Sequence, residues 1–151
     1  MSSEALASFS QLRDFFATRG IPHLADPAAQ TIECAVQLPP LDGSLYLRWE
    51  PTLPILQLVY ILCFDLPLDR IPPVESACCR INATVALPGF GIDYTRRNQY
   101  FRVIVPVVDP LPVLTLERLL LAVARSARDF LPTFQRVIAG SEPAEILNNP
   151  G

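Results

Sequence analysis

A chain of 151 residues, 50% hydrophobic and 18% charged, is long enough for a core that buries roughly 70% of the surface its unfolded form exposes, so one domain is expected. The net charge of -3 and pI near 5.1 argue against a nucleic-acid or anionic-membrane surface, because phosphate binding needs a concentrated positive field. All twelve basic residues are arginine, which removes Schiff-base and P-loop lysine chemistry outright, since both need an amine.

The mean hydropathy of +0.30 is high, yet charged or proline residues interrupt every apolar run, and none approaches the roughly 18 residues of a membrane span. Ser2, Ser3 and Glu4 open the chain without a basic flank, so no secretory leader and a cytoplasmic location are expected. Cys34, Cys63, Cys78 and Cys79 lack C-x-x-C spacing, and the lone His23 cannot build a zinc site. Reduced structural thiols, with no metal and no cofactor, are the expectation.

Glu4 to Arg19 reads as a helix with Leu6, Phe9, Leu12, Phe15 and Phe16 on one side, capped by Ser2 or Ser3 and stopped by Gly20. The segment from Ile21 to Ala29, with Pro22, Asp26 and Pro27, reads as a loop in which His23 is solvated. Alternation predicts strands over Thr31 to Leu38 and over Leu45 to Glu50, paired as a hairpin. The third strand, Ile55 to Phe64, has only Gln57 as a polar interruption, which fits a central strand covered on both faces.

Asp69, Pro72 and Pro73 mark the start of a short helix whose stripe is Val74, Ala77, Cys78, Ile81 and Val85. Phe90 to Thr95 and Tyr100 to Val107 form a second hairpin with Arg96-Arg97-Asn98 at its tip. From Thr115 to Gly140 the apolar residues recur at helical spacing over six turns, with Thr115 as the cap, Gly140 as the left-handed close, and a kink or break expected at Pro132. Residues 1–140 then make a single α+β domain, and residues 141–151 a loosely held polar tail.

Candidates for chemistry are thin. Asp65, Asp69, Arg70 and Glu75 cluster in sequence at the start of the second helix, where an enzyme or small-ligand sensor would have its pocket, but charges there usually serve as caps and solvated faces. Arg96 and Arg97 match carboxylate or phosphate geometry, yet two charges at a hairpin tip are ordinarily solvated. No catalytic residue is assigned.

Ile81-Asn82, Pro88-Gly89-Phe90, the strand Tyr100-Phe101-Arg102-Val103 and the helix bearing Asp129-Phe130-Leu131-Pro132 together resemble the YbjN family of bacterial proteins, regarded as sensory transduction regulators. The element order α-β-β-β-α-β-β-α itself gives an α+β domain with helices on an antiparallel sheet, and connectivity predicts five strands ordered 1-2-3-5-4. The resemblance implies the type III secretion chaperone fold. It also implies a non-enzymatic protein-binding module, chaperone-like or regulatory, working as a dimer. Once helices cover one sheet face, Ile55, Val59, Ile61, Cys63, Tyr100, Ile104 and Val108 are left as an apolar patch on the other. A second copy or a client protein is expected to cover it, with partial cover by the short second helix as the competing account.

Overall fold

The computed structural model describes residues 4–38, 41–62 and 64–147, with the backbone alone for 37, 38, 41 and 42. In chain order the elements are β1 (Ala5–Leu6), α1 (Phe9–Thr18), β2 (Leu24–Asp26), β3 (Thr31–Leu38), β4 (Leu41–Trp49), β5 (Ile55–Leu62), a 3-10 turn (Leu68–Arg70), α2 (Ile71–Asn82), β6 (Phe90–Asp93), β7 (Asn98–Pro106), β8 (Leu111–Pro112), α3 (Val113–Ile138) and α4 (Pro143–Leu147). The main sheet runs β2-β3-β4-β5-β7-β6 with every neighbouring pair antiparallel. It therefore has six strands, not five. The extra strand changes the order by adding an edge beside β3, and it lies where a loop was expected. Asp26 explains its end: its carboxylate accepts from the amides of Ala28 and Ala29 and turns the chain into β3.

The first helix starts later than the apolar spacing suggested. Ser8 caps it by accepting from Gln11 N, while Gln11 Oε1 accepts from the amide of Ala7, just before the cap, at 2.6 Å. The residues before it are extended, and Leu6 pairs with Leu111 across β1 and β8. That pairing also moves the start of α3, which begins at Val113 rather than beyond Thr115 because Val113 N donates to Glu4 O. Pro132 neither breaks α3 nor splits it, since it lies on the exposed side where the freed carbonyl of Arg128 can meet water. The helix closes as expected at Gly140, whose φ of +121° lets Gly140 N reach Val137 O and Ser141 N reach Arg136 O.

Beyond that close the chain is not a loose tail. Pro143–Leu147 forms α4 against α2, with Pro143 buried and Ile146 and Leu147 packed on the core. Arg70 ties the same corner, donating from Nε and Nη2 to Val137 O at 3.0 and 2.6 Å. The guanidinium thus adds two donors to the carbonyl that Gly140 N also reaches and fastens the end of α3 to the start of α2.

Burial alternates along β5, with Leu56, Leu58, Tyr60 and Leu62 buried and Ile55, Gln57, Val59 and Ile61 half-buried. One face of the sheet is therefore covered, contrary to a strand sealed on both. Leu12, Phe15 and Phe16 of α1 and Val123, Leu131 and Phe134 of α3 join Cys34, Leu45, Leu47, Phe101 and Val103 in the same core. The Phe90 ring sits 5.0 Å from Phe134, 5.6 Å from Phe130 and 4.7 Å from Phe101, which locks α3 onto β6 and β7. The second helix also lies on this inner side: Cys78 meets Gln99, which stands in register between Leu62 and Ile92. It therefore does not shield the opposite face.

Candidate functional site

The uncovered face of the sheet is the candidate site, because side chains pointing away from the core at successive strands end up side by side. In register, Tyr46 neighbours Val59 and Val59 neighbours Arg102, while Ser44 neighbours Ile61 and Ile61 neighbours Tyr100. The next row is Arg48, Gln57 and Ile104. These rows, apart from Ile104, floor an open groove of about 860 Å³ that continues to the β6–β7 turn at Asp93, Tyr94, Thr95 and Arg96. Val59 and Ile61 make the aliphatic floor, and tyrosines and arginines stand around it.

Local interactions hold the rim. Asp93 accepts from the amides of Thr95 and Arg96, and its other oxygen lies 3.2 Å from Arg96 Nη1. The Arg96 amide, helped by the guanidinium, holds the Asp93 carboxyl below its ordinary range. Tyr94 OH donates to Glu75 of α2, which fastens the turn to the helix layer and raises the phenol above its usual value. Arg48 is paired with Glu50 at 3.1 Å. Gly91 lies under Tyr100, whose ring occupies the space that a Cβ at Gly91 would need.

Of the seven expected surface residues, the structure brings Val59, Ile61 and Tyr100 into this groove. Ile104 lies beside it on β7, 46% exposed, and Ile55 is half-buried at the start of β5, opposite Pro106. Val108 falls beyond β7 in a bend, 76% exposed. Cys63 lies outside the described residues. The polar rim was not singled out, although Tyr46 and Arg48 stood on the far side of the second strand's alternation and so carried the signal.

The other candidates do not converge. Arg70 caps the end of α3, Glu75 holds Tyr94, and Asp65 and Asp69 are exposed. His23 packs its ring 5.7 Å from Phe16 and its Nδ1 lies 2.8 Å from Ile21 O, so it is a half-buried strut and not a solvated loop side chain. Arg96 pairs with Asp93, and Arg97 takes a φ of +54° in the turn. Among the described residues no group of three metal-ligating side chains gathers, and no helix is long and apolar enough to cross a membrane.

No protein-family model matches the chain, and no curated protein sequence does. Solved structures do. The architecture, an antiparallel sheet with helices on one face, is shared with YbjN from E. coli, a candidate transcription regulator: TM-score 0.59 at 8% identity, covering 81% of this chain and 87% of that one. A chain of the HopA1-SchA chaperone–effector complex matches with a TM-score of 0.57 at 21% identity, covering 80% of this chain and 91% of that one. The fold is thus the YbjN and secretion-chaperone fold that the sequence resembles.

Proposed function

We propose that the protein is a non-enzymatic, cytoplasmic protein-binding module, chaperone-like or regulatory, that works as a homodimer through the uncovered sheet face. One observation carries this reading: no described helix lies over a face whose centre is Val59 and Ile61, although three helices crowd the other side. Tyrosine and arginine around a small aliphatic centre is also the composition that recurs where proteins bind one another. The patch Ile55, Val59, Ile61, Cys63, Tyr100, Ile104 and Val108 is accordingly assigned to the second chain, with a client protein as the other occupant. The solved neighbour from a chaperone–effector complex supports a client-binding role for this fold. No nucleic acid, membrane or cofactor enters the reading, and the scattered positions of Asp65, Asp69, Arg70 and Glu75 disfavour the small-ligand alternative. Light scattering coupled to size exclusion tests it: the native chain should elute at twice 16.7 kDa and Val59→Asp should shift towards monomer. A native monomer across the micromolar range would remove the dimer and leave a client as the occupant.

A further inference from the structure

A second surface lies on the opposite side of the molecule and stands apart from the sheet face. Helix α3 buries Leu116, Val123, Ala127, Leu131, Phe134 and Val137 on one side. Directly opposite run Leu114, Arg118, Leu121, Arg125, Arg128 and Arg136, all exposed and separated by three, four or eight residues. At 3.6 residues per turn they fall in a stripe about 80° wide and about 33 Å long. Four arginines against Glu117 and Asp129 make this helix positive, while the remaining chain carries -5 of the total charge of -3.

The chain does not neutralise the stripe. Glu117 is taken by Arg19, just past the end of α1, at 2.7 Å, and Asp129 approaches Arg128 only to 3.7 Å at the surface. Among the described residues no carboxylate pairs with Arg118, Arg125 or Arg136. Leu114, 55% exposed, starts the stripe, and Leu121, 50% exposed, sits between Arg118 and Arg125. The alternating spacing of four and three from Leu114 to Arg128 is the seam of one helix packing along another, with leucine and arginine alternating from Leu114 to Arg125 and a further arginine at 128.

We infer that α3 is the docking ridge for an acidic amphipathic helix of a different protein, one that sets leucine-type side chains against Leu114 and Leu121 and carboxylates against Arg118, Arg125 and Arg128. Charge excludes a second copy, because an α3–α3 contact would put arginine on arginine and neither α1 nor α2 exposes an acidic stripe. The two exposed leucines favour a protein helix over nucleic acid, because a phosphate backbone gives them nothing to pack against.

The test uses the full chain and three labelled probes in fluorescence anisotropy: a helical peptide with a leucine seam flanked by glutamate, the same peptide flanked by lysine, and a random-sequence DNA duplex. The glutamate peptide should bind, weaken with added salt, and lose roughly tenfold or more in affinity against Arg118→Glu/Arg125→Glu. Both changes are at exposed positions, and Val59→Asp should bind the peptide as the native chain does. The lysine peptide and the duplex should not bind. Equal binding of both peptides, preference for the duplex, or no binding of the glutamate peptide would each overturn the inference. Failure here leaves the sheet-face reading untouched, since the light-scattering result is read on a different variant.

Discussion

Asn82 shows what a short motif means once its side chain has an address. Its carboxamide oxygen accepts from Gly89 N and Phe90 N at 3.1 and 3.0 Å, and its nitrogen donates to Phe90 O at 2.9 Å. The end of α2 is thereby clamped to the first residue of β6, which places Phe90 under α3. Asn82→Ala should cost about 1–3 kcal/mol in urea melts, and a loss within error would mean the clamp is decorative. Cys78 is a second case in which burial sets the chemistry. Desolvation, only partly offset by the Gln99 side chain, pushes its thiol from the ordinary 9.0 up to about 12, and burial likewise raises Cys34. Because the folded state then holds a proton the unfolded state releases, Cys78 contributes nothing below pH 9 and costs stability as pH rises from there towards 12. Native protein should lose stability over that window faster than Cys78→Ala, by up to about 1.4 kcal/mol per pH unit. Parallel curves would show that the thiol is hydrated. The stripe position of Cys78 was legible from helical spacing, but the burial of Gln99, whose Oε1 has no partner among the described residues, was not. A glutamine just past a turn gives no local sign of the helix that will cover it.

Helix α3 was the most legible element, because six turns of apolar spacing leave one way to bury the stripe. Phe134, fully buried against Phe90, should lose about 3–5 kcal/mol on Phe134→Ala. Pro132→Ala should do the reverse and raise the stability read from urea melts, by up to about 3 kcal/mol, since it restores a backbone hydrogen bond on the solvent side. A fall in stability on Pro132→Ala would mean that the proline is packed. The elements that escaped sequence reading are short ones that exist only through a partner. β1 exists through β8, β2 through β3, and α4 through α2. Two to five residues carry too little periodicity of their own, so only the pairing or packing reveals them. The hairpins and the buried row of β5 needed no such help, because alternation within one strand already separates inner from outer side chains.

For the whole molecule, the asymmetry of the sheet decides the functional account. Helices take one face, and the other keeps Val59, Ile61 and Tyr100 within an open groove. A reading of Ile55 to Phe64 as sealed on both sides overlooked that half-burial suffices when tyrosines and arginines lean over the floor. The most direct measurement is site-specific photo-crosslinking of the purified chain, with a benzophenone amino acid placed at Ile104 on the groove side or at Leu121 on α3. Both positions are about half exposed, so either substitution should fold. Irradiation should give a species of twice 16.7 kDa from position 104 and none from position 121. Cross-links from 121 but not from 104 would contradict the account, because the copies would then meet through the helix layer and not through the sheet.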